Sequence, residues 1–361
     1  MKSVIGKNIT LSLYGESHGK AIGVVVGGLP AGIKINEDFI SEQIDKRKPK
    51  GKISTQRREK DDFSILSGVF NGYTTGTPVH IMMENKSQHS GDYIPNLPRP
   101  SHADYTAHIK YAGFEDWRGG GHFSGRLTAP LVAAGAIAID ILKNKGILIG
   151  THIKKCQHIL DRDFENYAED IALCNSQYFA ILSEAVGAKM QQHIEKTGAD
   201  CDSVGGLLET CVLGLPAGVG EPFFDSLESV ISHYMFSIGG VKGIEFGLGF
   251  GFADAFGSTA NDQLKICDGK IVTATNNNGG INGGISNGMP IIFRVAMKPT
   301  PSIFKAQNTV NLETMQEETL CLKGRHDPAI FHRARVVVDS MTALALLDLL
   351  VQRFGERWLT E

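Results

Sequence analysis

Two stretches of this 361-residue chain, 129–143 and 340–354, are apolar on nearly every side of a helix. A surface helix carries one apolar stripe, so a helix without a polar face has to lie inside the fold. Two such helices call for layers of protein around them. Strand-like runs occur at 9–14, 22–26, 79–83, 204–213, 244–252, 291–297 and 334–338, several of them β-branched and ending at Gly or Pro. Further helices are predicted over 37–46, capped by Asn36, and over 177–196 and 223–235. Strands and helices do not alternate at the spacing of a doubly wound sheet or an eight-fold barrel. The prediction is a single α+β domain over 1–361, a sandwich with buried helices and mixed or antiparallel sheets, with no internal repeat.

Composition excludes several classes. Thirty-six basic and 39 acidic residues leave a net charge of −3, which argues against binding a nucleic-acid backbone over a broad surface. The six cysteines are scattered, with no CxxC pair; the expectation is reduced, mostly buried thiols in a cytoplasmic protein. No signal peptide is read at the N-terminus, and the longest apolar stretch, 131–139, falls far short of the roughly 20 residues of a membrane span. Twelve histidines show neither HExxH nor a Cys-paired spacing, so no metal is expected. The one excess is glycine: 42 residues, where the usual ~7% would give about 25. They cluster at 119–121, 239–243, 247–251 and 279–288, marking sharp turns or close approach to something bound. The 247–251 run imitates part of a dinucleotide fingerprint but lacks its order before a helix.

Five segments carry the polar surprises. Gly15-Glu16-Ser17-His18-Gly19 puts a hydroxyl and an imidazole on a tight loop after a strand; histidine exchanges protons near neutrality, although a solvent turn has the same composition. Residues 46–58 hold seven cations and no acid, the pattern of a solvated face, a nucleic-acid patch or a loop wrapped round a small phosphate ester. Arg99-Pro100-Ser101-His102-Ala103-Asp104 sets a second histidine two residues before a carboxylate. Arg118-Gly119-Gly120-Gly121-His122-Phe123-Ser124-Gly125-Arg126 runs into the 129–143 helix, offering free N–H groups and a positive dipole end to an anion. The fifth is bipartite: the glycines of 279–288 precede a strand that ends in Lys298-Pro299-Thr300-Pro301-Ser302, and Gly324-Arg325-His326-Asp327-Pro328 follows, before what reads as another strand.

Taken in order, these segments resemble the chorismate synthase family over essentially the full chain. The matching pieces are GESHG (15–19), TQRRE (55–59), ILSGVF (65–70), TTGTPV (74–79), RPSHADYT (99–106), KYAGFEDWRGGG (110–121), VKGIEFG (241–247), GGISNG (283–288), KPTPSI (298–303) and GRHDP (324–328). The resemblance implies a β-α-β sandwich, commonly a homotetramer, and a trans-1,4-elimination that turns 5-enolpyruvylshikimate 3-phosphate into chorismate and phosphate. It also implies a requirement for reduced FMN without net redox change. NADPH would enter only if the chain reduced its own flavin, and an external reductant is expected.

By the same resemblance His18 assists the leaving phosphate, His102 stabilises the anionic reduced flavin, and Asp327 accepts the proton relayed through flavin N5. Ser17 and Ser124 hold that relay in place. Arg47, Lys52, Arg126 and Arg325 are the phosphate and carboxylate partners. Flavin contacts fall to His122, Phe123, Ser124, Gly239, Gly240, Gly283, Lys298, Pro299, Thr300, Pro301, Ser302 and Arg325. The chain departs from the common pattern at His122 and Phe123 (an arginine and a serine in many members), at Gly239-Gly240, at Lys52 for arginine and at His332 for proline. The competing readings are a catalytically silent relative that binds flavin or a phosphorylated ligand, and a nucleic-acid-binding protein using 46–58.

Overall fold

Residues 291–297, Ile-Ile-Phe-Arg-Val-Ala-Met, alternate buried and half-buried side chains along their whole length, the period-two signature of a strand with one face in the core. In the computed structural model, which describes residues 3–55, 61–86, 94–322 and 327–361, this strand is the second of five in one of two large sheets.

The first half of the chain runs β1 (Val4–Ile5), β2 (Thr10–Gly15), β3 (Ala21–Gly27), α1 (Glu37–Arg47), β4 (Phe63–Ser67), the small hairpin β5 (Val69–Phe70) and β6 (Tyr73–Thr74), and β7 (Val79–Glu84). Helices α2 (Asp104–Tyr111) and α3 (Thr128–Asn144) follow. The second half holds β8 (Leu148–Cys156), β9 (Ile159–Leu160), α4 (Tyr167–Ser176), α5 (Glu184–Ala199), β10 (Gly206–Leu213), α6 (Leu227–Phe236) and β11 (Val241–Phe246). After the single turn α7 (Gly257–Ala260) come the hairpins β12 (Leu264–Cys267)/β13 (Lys270–Thr273) and β14 (Ile281–Asn282)/β15 (Ile285–Ser286). The chain closes with β16 (Ile291–Met297), the hairpin β17 (Gln307–Asn311)/β18 (Gln316–Leu320) and α8 (Phe331–Phe354). The large sheets have strand orders β1-β2-β3-β7-β4 and β11-β16-β10-β8-β9. Every pairing among the described residues is antiparallel, which narrows the expectation of mixed or antiparallel sheets.

The two all-round apolar helices sit where their composition demands. Helix α3 packs on β3 and β7 of the first sheet, α8 on β8 and β10 of the second, and the two helices pack on each other. Their axes come close because Gly135 carries no side chain: a Cβ there would stand 2.2 Å from Ser340 Cβ. Arg118–Asn144 is long and apolar enough to cross a membrane by composition, but 78% of its apolar window is buried inside the protein. Helix α1 begins as its sequence dictates, with Asn36 Oδ1 accepting from the Phe39 N–H at 3.1 Å and acidic residues in the first turn.

The departures have physical causes. The run 334–338 is not a strand; its valines lie inside α8, fully buried, where packing on both sides outweighs their β-propensity. The Asp327-Pro328 turn therefore leads into a helix. The strand expected over 244–252 runs instead over Val241–Phe246 and gives way to a 3₁₀ turn at Gly249–Asp254, because Gly247 and Gly249 take positive φ. Helices α5 and α6 start at Glu184 and Leu227, later than predicted. Strands β1, β4, β8 and β9, the small hairpins and helices α2 and α4 have no counterpart among the predicted elements. All six cysteines are free, but Cys201, Cys267 and Cys321 are exposed, correcting the expectation of mostly buried thiols.

Candidate active site

The glycine run 119–121 explains itself in three dimensions. All three residues take positive φ, 63°, 80° and 53°, a backbone path that only glycine follows cheaply. A Cβ on Gly119 would lie 2.6 Å from His18 Nε2 and 2.9 Å from Ser17 Oγ, and one on Gly120 would lie 3.0 Å from His102 Cε1. The two histidines picked out by sequence thus stand against neighbouring glycines of one loop. That loop is tied to the first histidine's turn by the Ser17 N–H donating to the Gly121 carbonyl at 3.0 Å. Ser17 is fully buried, and its Oγ has no hydrogen-bond partner among the described residues.

Gly119 forms part of the wall of a cavity of about 910 Å³. His102, His122, Phe123, Ser124, Gly239, Gly240, residues 298–302, Arg47, Arg126 and Asp327 line the same space. His18 and Ser17 sit one layer behind it, against Gly119. Lys52 is exposed and Gly283 lies at the exposed β14–β15 turn, both apart from the lining. Arg325 falls outside the described residues, as do 56–58 of the basic stretch.

Each wall residue is held by something specific. His102 Nδ1 lies 2.5 Å from Asp104 Oδ1, which leaves the Cε1–Nε2 edge toward Gly120. Burial would raise the Asp104 carboxyl, but hydrogen bonds from Arg99 and His102 outweigh it and hold the group well below the usual carboxylate range. Arg99 also reaches Ser302 Oγ at 3.3 Å, joining this corner to the 298–302 strip. There the Lys298 ammonium bonds to the Ser101 carbonyl, and burial followed by nearby Lys242 pushes its pKa down. His122 donates from Nδ1 to the Gly15 carbonyl at 2.7 Å and faces Ser3 Oγ at 3.1 Å. Ser124 Oγ caps the next turn, accepting from the Arg126 N–H at 3.3 Å.

The opposite wall is a chain of alternating charges. Arg126 and Arg47 share Asp61, one on each carboxylate oxygen, with Arg47 Nη2 at 2.9 Å. Asn85 Oδ1 accepts from Arg126 Nε at 3.1 Å, and the Asn85 amide donates to the Glu16 and Gly19 carbonyls. The Arg47 carbonyl accepts from Arg333 Nε at 2.9 Å, and Arg333 is ion-paired with Asp327. Behind this wall His332 Nε2 meets Ser54 Oγ at 2.8 Å. Burial, then the charge of Arg333, pushes its pKa down to about 3, so the ring is neutral.

The chain as a whole is similar to proteins of one family. A family model described as chorismate synthase matches residues 9–351. The chain is 45% identical to the chorismate synthase of Thermococcus kodakarensis over 350 residues, 96% of this chain and 97% of that one. It is 44% identical to that of Methanobrevibacter smithii over 357 residues, covering 98% and 97%. With that of Lachnoclostridium phytofermentans it shares 46% identity over 359 residues, covering 98% and 96%. This chain belongs to the chorismate synthase family. A crystal structure of a chorismate synthase superposes with a TM-score of 0.77 at 28% identity, covering 97% of this chain and 94% of that one.

Within that chorismate synthase frame, the lining also holds residues that the sequence does not single out, among them Asp61, His233 and Arg333. Asp61 follows the stretch read as uniformly basic, and Arg333 lies in what read as the approach to a strand. Of the departures, His122 and Gly239-Gly240 line the cavity and Phe123, 42% exposed, leans on the Tyr111 ring. Lys52 and His332 lie away from it.

Proposed function

We propose that this cavity performs the family's reaction, the trans-1,4-elimination that converts 5-enolpyruvylshikimate 3-phosphate into chorismate and phosphate. The observation that carries the reading is the meeting of His102 and the Arg47–Arg126 pair on one cavity with His18 directly behind its Gly119 wall, although they lie far apart in sequence.

The residues present fit a flavin. Thr300 Oγ1, in the lining, is buried without a partner among the described residues. A Cβ on cavity-lining Gly239 would meet open space, and Lys298 and Arg99 supply cations beside it. Residues 298–302, Gly239, Gly240 and 122–124 would hold reduced FMN, which when bound would supply electron density to the substrate. Arg47 and Arg126 bind the phosphate by charge-assisted hydrogen bonds. His18 donates a proton to the departing phosphate from behind Gly119. The Asp104-oriented His102 stabilises negative charge on the cofactor side. Asp327 takes up a proton on its carboxylate, with Arg333 fixing its position.

The same reading covers the rest of the molecule. One core cluster includes residues from Ile9 to Leu359, which supports a single domain over 1–361 built as a β-α-β sandwich. Phe250, Phe256, Leu264, Ile266 and Ile271 are all at least 67% exposed; so much exposed apolar surface supports assembly of copies of the chain into a homotetramer. The setting is the cytoplasm, with flavin reduced by a separate partner.

The test is anaerobic incubation of the protein with 5-enolpyruvylshikimate 3-phosphate and chemically reduced FMN. Stoichiometric chorismate and phosphate are expected. Flavin binding without product would replace this reading with that of a silent binding protein.

A further inference from the structure

We propose that Asp61 is a positioning residue that holds Arg47 and Arg126 together as one anion-binding unit. The proposal rests on the reading that these arginines receive the substrate's phosphate.

The geometry is specific. The Asp61 side chain is 2% exposed, and those of Arg47 and Arg126 are 10% and 5% exposed. Each carboxylate oxygen is taken by a different guanidinium. Two buried guanidiniums side by side repel, and repulsion is strong where water is excluded. A shared carboxylate removes that cost and leaves the trio with one net positive charge. It also fixes orientation, because each arginine has a second anchor: Arg47 Nη1 on the Gly125 carbonyl at 3.3 Å and Thr128 Oγ1 at 3.4 Å, Arg126 Nε on Asn85.

Two observations set this trio apart from an ordinary structural ion pair. Arg47 Nε is buried and has no partner among the described residues. A buried donor left unmade is costly, and beside a cavity it points to an acceptor that arrives with the ligand. Asp61 itself holds a φ of 55°, in the left-handed region that non-glycine residues rarely occupy. Such strain persists where the surroundings over-determine it. Both Asp61 carboxylate oxygens are engaged by guanidiniums. The two arginine charges outweigh its burial and hold its carboxyl below the usual range. It acts through the arginines.

The experiment compares Asp61→Asn, Asp61→Glu and Arg126→Gln in the full-length enzyme with reduced FMN. It measures kcat, KM for 5-enolpyruvylshikimate 3-phosphate, and inhibition by inorganic phosphate. Asp61→Asn is expected to raise KM and weaken phosphate inhibition by about tenfold or more, with a much smaller change in kcat, because the arginines bind the phosphate in ground state and transition state alike. A merely structural role would lower the amount of active enzyme and leave both affinities unchanged. Asp61→Glu keeps the charge and should recover only part of the loss, since one added methylene still shifts both guanidiniums; if the Asn variant does not fold, that remaining rise in KM and in the phosphate inhibition constant decides. Unchanged KM and phosphate inhibition in the folded Asp61 variants, with both altered in Arg126→Gln, would overturn the positioning role alone. Arg126→Gln leaving phosphate inhibition intact would overturn the anion-site reading beneath it.

Discussion

Gly119→Ala offers a sharp test of the proposed site, because one methyl group is aimed at the His18 imidazole. The added Cβ would lie 2.6 Å from His18 Nε2, 2.7 Å from His18 Cδ2 and 2.9 Å from Ser17 Oγ. Ordinary contacts lie at ~3.5–4.0 Å, so the imidazole has to retreat by about 1 Å. A misplacement of that size costs roughly 100-fold in rate. The alanine also pays roughly 1–2 kcal/mol for its left-handed backbone, at a φ of 63°. Gly72→Ala separates the two effects: Gly72 has a φ of 79° and nothing within 4 Å of its Cβ. Both variants should lose the backbone term in urea unfolding, Gly119→Ala losing more because its Cβ also crowds buried Ser17 and His18, whereas only Gly119→Ala should lose about 100-fold in kcat. The assay is anaerobic chorismate formation with reduced FMN, with denaturation curves recorded on the same preparations. A kcat for Gly119→Ala within twofold of wild type would refute the placement of His18 against this loop.

Other outcomes follow from the same geometry. His18→Ala and Asp327→Ala should each lower kcat by roughly 100- to 10,000-fold while flavin still binds, which fluorescence titration of FMN reports; near-wild-type turnover removes that residue from the mechanism. Gly135→Ala should destabilise the protein by about 1–3 kcal/mol, since its Cβ would meet Ser340 at 2.2 Å; KM should not move. His332 has a folded pKa of about 3 against an ordinary 6.5. Above pH 6.5 neither state holds the extra proton, and below it only the unfolded chain does, so stability falls with acidity, by about 2 kcal/mol at pH 5. His332→Pro, placed in the tolerant first turn of α8, should flatten that limb in denaturation curves recorded between pH 7 and pH 5.

What was legible in the sequence was the part fixed by local pattern. The apolar circumference of α3 and the second half of α8, the Asn36 cap and the period-two strand at 291–297 all emerged where expected. The first two turns of α8 did not, since Val336, Val337 and Val338 carry a strand's composition and are helical only because sheet and helix enclose them. At the site, histidines and arginines announced themselves by rarity and by glycine neighbours. Their counter-ions did not: Asp61 and Arg333 gain meaning only when folding sets them beside Arg126, Arg47 and Asp327. Glycine excess was visible, but its cause at 119–121 is a contact with residues about 100 positions upstream and about 20 upstream, which no local window contains.

The departures from the family pattern fall where this architecture absorbs them. His122 stands where many members have arginine, yet its Nδ1–H reaches the Gly15 carbonyl, the root of the Ser17–His18 turn. It therefore braces that turn without entering the contact of His18 with Gly119. Phe123, in the cavity lining, leans on the Tyr111 ring. Lys52 is exposed and has no part in the Arg47–Asp61–Arg126 unit, so losing an arginine's paired geometry there leaves the buried clamp intact. His332 replaces a proline in the first turn of a helix and, kept neutral by burial, supports Ser54 behind the cavity wall. None of these changes replaces a member of the Arg47–Asp61–Arg126 unit, of the His18–Gly119 contact or of the Arg333–Asp327 pair, and for that reason the elimination should survive them.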